Sequence, residues 1–276
     1  MGLKPDFHSL KEQLAAKIDA SRLKTYLCLR DFDSGRTVQI NGRQRFYPAS
    51  LIKLLLLQAF LREVESGRLL LESTHTLTEA DRYAGRTKVT GSGVLQFAET
   101  GTVCTLKQLL AYMITISDNV ATNILYDRVG PARIRETARE TGLADTAFNR
   151  RMYELDSPLP SNHSTACDLT EILAALYSGE AAGGEYSALA IKLLAAAADK
   201  DRIGRYLDKT VIVANKSGTV SGIVGDAALL FFPCRPPAAL TIAVADPTDV
   251  NSAAHLIGCL AKIAVQHLES SESRGR

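Results

Sequence analysis

Helical spacing of apolar residues fills the middle of this chain, whereas strand-like apolar runs lie near its two ends. The predicted strands are 26–30, 37–40, 211–213, 223–232 and 239–245. The predicted helices are 7–19, 51–66, 106–116, 120–128, 132–141, 166–177, 187–198 and 252–267. Strands from both ends are most economically paired in one sheet. We therefore predict an α/β (α+β) fold, in which an antiparallel sheet is flanked by the terminal helices and a helical domain is inserted.

The same pattern predicts the division into domains. Residues 1–45 and 206–276 would form the α/β domain from both termini, and residues 46–205 would form the helical domain. A chain of 276 residues is long enough to bury a substantial core as one large domain or two small ones.

Composition and charge exclude several classes of partner. The net charge is +2, with 46% hydrophobic and 22% charged residues, which is typical of a globular protein. Lysine and arginine are scattered, so we expect no nucleic-acid or membrane partner. The densest apolar run, Leu54–Leu57, is too short to cross a bilayer. No apolar signal segment begins the sequence, so it predicts a cytoplasmic protein as written, or an extracytoplasmic one if a leader precedes this numbering. We expect a monomer.

Cysteine and histidine spacing argues against a metal or disulfide framework. The five cysteines are odd in number and widely spaced, without a Cys-x-x-Cys pair. They are Cys28, Cys104, Cys167, Cys234 and Cys259. The five histidines also lack the short spacing of metal ligands. We expect no metal and no cofactor.

The first candidate for chemistry is a Ser-x-x-Lys pair, Ser50 and Lys53, at the predicted start of a helix. The i, i+3 spacing places both side chains on one face, so the amine can approach the hydroxyl. A helix N-terminus also offers N–H groups that stabilise an oxyanion. Ser21 and Lys24 repeat the spacing just ahead of a strand, and we interpret them as a chance match.

Two further motifs strengthen this hypothesis. A Ser-Asp-Asn triplet at 117–119 lies between two predicted helices, where it could face a cleft. A Lys-Ser-Gly-Thr run at 216–219 follows the apolar strand Val211–Ala214. Either motif alone is normally a turn or a helix cap. Three such motifs in this order favour a serine active site.

Together the three motifs resemble those of the class A β-lactamases and penicillin-binding proteins, which are penicillin-recognising active-site serine hydrolases. The resemblance covers most of the chain and implies the same fold of an α/β domain with a helical insert. It implies a serine hydrolase that opens the β-lactam ring through an acyl-Ser50 intermediate. Ser217 replaces the commoner threonine of the third motif and keeps its hydroxyl.

The resemblance also implies catalytic roles. Ser50 would attack the carbonyl carbon, and Lys53 would help to remove its proton. Ser117 would relay a proton to the leaving nitrogen. Lys216 would lower the pKa of Lys53 because the two charges are alike.

The implied binding residues surround the nucleophile. Asn119 would bond the side-chain amide of the substrate, and Ser217 and Thr219 would receive its carboxylate. Lys216 would also belong to the substrate-binding site. The backbone N–H groups of Ser50 and Thr219 would form the oxyanion hole. The substrate would be a small molecule, either a β-lactam or an acyl peptide or ester.

The sequence leaves the deacylating base open. Two alignments of this loop disagree. When Glu154-Leu155-Asp156 is matched to the family's Glu-Leu-Asn, Met152 or Tyr153 stands where the glutamate base should be. When residues are counted forward from Asn119, Glu154 stands at that position. We take Glu154 as the candidate catalytic base. If it is not the base, acylation proceeds and hydrolysis stalls, as in a penicillin-binding protein. A D-alanyl-D-alanine carboxypeptidase or an esterase is the alternative enzyme. A non-catalytic module is disfavoured because all the motif residues are present.

Overall fold

A five-stranded antiparallel sheet forms the centre of the computed structural model, which describes residues 6–270. Its strands are β1 (Thr25–Asp31), β2 (Thr37–Ile40), β7 (Ile212–Val220), β8 (Ile223–Phe231) and β9 (Ala238–Ala245). They lie in the order β2-β1-β9-β8-β7, so strands from both ends of the chain meet where β1 pairs with β9. The predicted antiparallel sheet built from both termini is therefore confirmed.

Four short strands form two small sheets within the helical part of the chain, and the sequence analysis did not predict them. They are β3 (Thr74–Thr76), β4 (Tyr83–Ala84), β5 (Thr87–Lys88) and β6 (Val103–Thr105). Strand β3 pairs with β6, and β4 pairs with β5. Runs of two or three residues are too short to show an apolar period.

Eight α-helices complete the described chain, all within a few residues of the predicted bounds. They are α1 (Phe7–Ser21), α2 (Lys53–Glu65), α3 (Leu106–Thr115), α4 (Asn119–Val129), α5 (Pro131–Glu140), α6 (Ala166–Ser178), α7 (Gly184–Ala195) and α8 (Val250–Ser270). Among residues 6–270, no helix is both long and apolar enough to cross a bilayer. The predicted division into domains at residues 45 and 205 stays a prediction.

Strand β8 shows how the two faces of the sheet are used. Val224 and Leu230 pack with α1 and α8 on one face, whereas Ala227 and Leu229 join the core of the helical part on the other. Because side chains alternate along a strand, burial on both faces requires a largely apolar strand, and Asp226 is the one charged residue in β8. The helical part of the chain is thereby fixed against the sheet.

Helix α1 illustrates the packing of the outer layer. Leu10 and Leu14 are four residues apart on one face, and both are fully buried. Each buried leucine contributes about 1.5–3 kcal/mol. The Asp6 carboxylate begins the helix by accepting bonds from the backbone N–H groups of His8 and Ser9.

Candidate active site

The candidate nucleophile lies in a strained turn that leads into α2. Ser50 is in the 3₁₀ turn Ala49–Ile52, and Lys53 is the first residue of α2, so the helix begins two residues after the predicted start at 51. Ala49 has φ of +47°, in the left-handed region that few non-glycine residues adopt. Backbone strain of this kind is concentrated at functional sites.

Lys53 is fully buried, and its ammonium group contacts the second motif. Nζ donates to the Ser117 carbonyl oxygen at 2.6 Å, to Ser117 Oγ at 3.1 Å and to Asn119 Oδ1 at 2.9 Å. Burial lowers the pKa of Lys53 well below its usual range, and the Lys216 cation lowers it further, against an opposing effect of Asp118. The direction agrees with the prediction, but burial is the larger cause. The lowered pKa favours the neutral amine, which is the form that can accept a proton.

Ser117 lies between two lysines. Lys216 Nζ donates to Ser117 Oγ at 3.0 Å, in addition to the 3.1 Å bond from Lys53. Burial lowers the pKa of Lys216 to about 8, with Asp226 acting in the opposite direction and Arg202 lowering it further. A hydroxyl bridging two amines can pass a proton from one to the other. Ser117 also has φ of +59°, a second strained residue beside the nucleophile.

Asp118, the middle residue of the triplet, has a structural role. Its carboxylate caps α4 by accepting from Ala121 N at 2.9 Å, and it also accepts from Val94 N at 2.7 Å and Leu95 N at 2.8 Å. Asn119 Nδ2 donates to the Thr90 carbonyl at 2.8 Å. These bonds hold the 90–95 segment against α4, where it forms one wall of the site.

The third motif lies within β7, not after its strand as the sequence suggested. The apolar run ends at Ala214, but Lys216–Thr219 continues the ladder to β8, with Ser217 opposite Asp226. Gly218 lets this strand approach the Ser50 turn, because a Cβ there would lie 3.1 Å from both Leu51 N and the Pro48 carbonyl oxygen.

Two cavities meet at Ser50. The first, of about 250 Å³, extends past Ser117, Lys216 and Thr219 to Arg202. The second, of about 280 Å³, extends to the 152–155 loop and is also lined by Asn119. The structure therefore brings together all the predicted site residues of the three motifs.

Arg202 is a site residue that the sequence analysis missed. It is buried, and its guanidinium donates to the Gly218 carbonyl at 2.7 Å and to Thr219 Oγ1 at 2.6 Å. It is also paired with Asp199 at 3.2 Å. No local pattern marks it, because it lies in a connecting segment before β7 and reaches the site through the fold alone.

The loop that carries Glu154 is held by an asparagine of α4. Asn123 Oδ1 accepts from Met152 N at 2.8 Å, and Asn123 Nδ2 donates to the Met152 carbonyl at 3.0 Å. Met152 and Tyr153 line the second cavity. Tyr153 has φ of +66°, and its hydroxyl lies against Gly91, where a Cβ would be 2.5 Å away.

Glu154 is the predicted residue that the structure does not place at Ser50. Its Oε2 accepts from Arg151 N at 3.0 Å, and it is absent from the described residues that line the two Ser50 cavities. The Glu154 carboxylate instead affects Tyr126, a residue of α4. Burial raises the pKa of Tyr126 to about 12, and Glu154 raises it further. Glu154 as the base stays a prediction, and this geometry supports the alternative alignment.

Within residues 6–270, no group of three or more His, Cys, Asp or Glu side chains is placed to hold a metal ion. The five cysteines are free thiols, of which Cys28 and Cys104 are buried. The chance match at Ser21 is also accounted for, because Ser21 Oγ donates to the Ile18 carbonyl at the end of α1, at 2.6 Å.

The sheet order, the helical insert and the Ser50–Lys53–Ser117–Lys216 cluster define a penicillin-recognising active-site serine hydrolase. Comparison with known proteins supports this class of protein. The sequence profile of the β-lactamase enzyme family matches residues 9–268, and the chain belongs to that family.

Individual relatives cover most of the chain. A β-lactamase of Streptomyces fradiae is 29% identical over 252 residues, which are 82% of this chain and 78% of the relative. The crystal structure of a β-lactamase from Sphaerobacter thermophilus has a TM-score of 0.86 and 28% identity, covering 96% of this chain and 98% of the other. A point mutant of PBP-A, solved as an acyl-enzyme complex with penicillin G, has a TM-score of 0.86 and 25% identity. The match covers 97% of this chain and 100% of the other.

Proposed function

We propose that this protein opens the β-lactam ring by transferring the ring carbonyl to Ser50. The observation that carries the proposal is the Ser117 hydroxyl, which accepts bonds from both Lys53 and Lys216 beside the nucleophile. Neutral Lys53 takes the proton of Ser50 as Oγ attacks the carbonyl carbon. Ser117 then donates a proton to the ring nitrogen as the C–N bond breaks, and Ser117 is reprotonated from a lysine ammonium.

Electrostatic stabilisation comes from groups that are fixed before the substrate arrives. The backbone N–H groups of Ser50 and Thr219 are proposed to receive the oxyanion, since both residues line the cavities that meet at the nucleophile. The cavity with Lys216, Ser217 and Thr219 suits the substrate carboxylate through the Lys216 ammonium, because Arg202 is already paired with Asp199 in the same cavity. Asn119 lines the second cavity, where it suits the amide of the acyl side chain.

The loop geometry favours slow release of the acyl group. The described residues lining the cavity between Ser50 and the loop include Met152 and Tyr153 but no carboxylate. Neither a thioether nor a protonated phenol is an efficient base for water. We therefore propose that the acyl-enzyme persists, as in a penicillin-binding protein. The same acylation step would let Ser50 act on an acyl-D-alanine peptide, so a D-alanyl-D-alanine peptidase is the second candidate.

Mass spectrometry of the protein mixed with penicillin G tests the proposal. We expect the intact protein to gain the full mass of penicillin G on a peptide containing Ser50. Ser50→Ala should abolish the adduct, and the matched control Ser21→Ala should retain it, because Ser21 is bonded to the end of α1. An adduct that survives Ser50→Ala would refute the assignment of the nucleophile. Disappearance of the native adduct within seconds would refute slow release.

A further inference from the structure

Two of the five cysteines meet between the sheet and α6, away from Ser50. Cys28 is on β1, and Cys167 is in the first turn of α6. Their thiols form a hydrogen bond with each other. Neither cysteine is among the described residues that line the two Ser50 cavities. No sequence pattern marks the pair, because the two residues lie far apart in the chain.

Backbone contacts hold the start of α6 against β1. Cys167 N donates to the Gly42 carbonyl at 2.9 Å. One turn further along α6, Thr170 Oγ1 donates to the Cys28 carbonyl at 3.3 Å. A Cβ on Gly42 would lie 2.9 Å from Cys167 Sγ and 2.8 Å from the Leu27 carbonyl oxygen. The Cys167 sulfur therefore lies beside the peptide bond that leads into Cys28.

This arrangement places the two sulfurs within reach of a covalent bond. A disulfide requires the sulfurs to approach to about 2.05 Å. Sulfurs that are already in hydrogen-bonding contact need only a small movement of the first turn of α6. Because a cysteine side chain has one rotatable bond to its sulfur, little conformational freedom is lost when the bond forms.

The two thiols differ in burial and in acidity. Cys28 is buried, whereas Cys167 is half-buried. The bond from Cys28 lowers the pKa of Cys167, against an opposing effect of burial, and the Arg43 cation lowers it further. The same bond and burial raise the pKa of Cys28. Since the thiolate is the reactive form, an oxidant attacks Cys167 first and finds Cys28 as the adjacent thiol.

We propose that Cys28 and Cys167 form a disulfide bond when the protein meets hydrogen peroxide. The Cys167 thiolate attacks one peroxide oxygen, the O–O bond breaks, and the products are hydroxide and a sulfenic acid on Cys167. The Cys28 sulfur then attacks the Cys167 sulfur, the S–O bond breaks, and water leaves with the thiol proton. Two electrons pass from the thiols to the peroxide. This modification is separate from the proposed acylation of Ser50 and does not depend on it.

The disulfide would join β1 to α6 and close a long loop of the chain. That loop contains both the Ser50 turn and the triplet at 117–119. A cross-link that closes a long loop restricts the unfolded chain and so favours the folded state. Oxidation should therefore stabilise the protein, with a rise in Tm of about 5–10 °C.

Mass spectrometry of the full chain treated with hydrogen peroxide tests the proposal. We expect the intact protein to lose about 2 Da, because a disulfide forms with the loss of two hydrogen atoms. Digestion without reductant should yield a peptide that joins Cys28 to Cys167, and dithiothreitol should restore the original mass and Tm. Oxidation of the exposed Cys234 reports that the peroxide is active in the same sample.

Three variants assign the two thiols. Cys28→Ala should form no cross-link and should accumulate a sulfenic acid on Cys167 that dimedone traps. Cys167→Ser should prevent both the cross-link and the trapping at this site. Cys259→Ser is the matched control, because Cys259 is also half-buried on a helix, and it should cross-link as the native protein does. If Cys28→Ala does not fold, the Cys167→Ser result decides.

Two outcomes would overturn the proposal. One is the absence of the Cys28–Cys167 peptide from native protein in which Cys234 is oxidised. The other is a loss of about 2 Da that persists in Cys167→Ser, which would place the disulfide elsewhere. Labelling of Ser50 by penicillin G is measured separately in each variant, so a failure of the proposed acylation would leave the cross-link result intact.

Discussion

Helix α2 carries two buried polar side chains in opposite circumstances. Near its start, Lys53 has three acceptors within 3.1 Å of its ammonium group. Just over one turn later, Gln58 is equally buried and has no described partner. Satisfied buried groups are held rigidly, whereas an unsatisfied one costs stability. The comparison indicates that the Ser50 site is preorganised in the free protein, whereas the Gln58 amide is a buried polar group that lowers the stability of the fold.

The largest expected effect concerns the loop beside the preorganised site. Met152→Glu places a carboxylate on the residue whose backbone Asn123 holds at the edge of the Ser50 cavity. A general base contributes about 10²- to 10⁴-fold, so the penicillin adduct should decay faster by that factor. The decay is measured by mass spectrometry after excess penicillin is removed.

Glu154→Gln is the matched variant for that experiment. Because the Glu154 carboxylate is bonded to Arg151 N, we expect the native decay rate to be unchanged. A hundredfold longer-lived adduct in Glu154→Gln would show instead that Glu154 activates the hydrolytic water and that the protein is a β-lactamase with efficient turnover.

The second prediction concerns pH. Neutral Lys53 is needed to accept a proton, so the acylation rate rises with pH through its lowered pKa. Cationic Lys216 is needed for the substrate carboxylate, so the rate falls as pH passes its pKa of about 8. Between pH 7 and pH 9 the loss of this charge should reduce the second-order acylation rate about tenfold. Stopped-flow kinetics with a chromogenic β-lactam measures the profile.

Lys53→Arg tests the rising limb of the same profile. Guanidinium does not lose its proton in this range, so the variant should acylate very slowly at every pH. A near-native rate in Lys53→Arg would mean that another group takes the proton of Ser50. If the acylation rate of the native protein keeps rising above pH 8, Lys216 does not bind the substrate carboxylate.

The sequence predicted those parts of the site that depend on local spacing. Ser50 and Lys53 are separated by one helical turn, and the triplet at 117–119 lies between two helices as expected. Arg202 was missed because its contacts with Gly218 and Thr219 depend on how a connecting segment packs against β7. The alignment of the Glu154 loop could not be resolved because it depends on the bonds between Asn123 and the backbone of Met152, which lie far apart in sequence. The contacts of Arg202 and the bonds between Asn123 and Met152 are tertiary contacts, and no periodic pattern in the sequence indicates them.

The smallest expected effect tests the difference between satisfied and unsatisfied buried amides directly. Gln58→Leu removes two unpartnered polar atoms from the core, so the free energy of unfolding should rise by about 1 kcal/mol. Asn215→Leu is the matched control, because Asn215 is also fully buried but its amide bonds the Asp199 carbonyl and Asp226 Oδ1, both at 2.9 Å. It should lose about 2–4 kcal/mol, since buried Asp226 loses the bond to Oδ1 and keeps only the bond from Ile203 N to Oδ2. Urea unfolding measures both changes. If Gln58→Leu destabilises the protein as much as Asn215→Leu does, the Gln58 amide is satisfied in solution by water or protein groups. Lys53 and Gln58 would then not differ in hydrogen bonding.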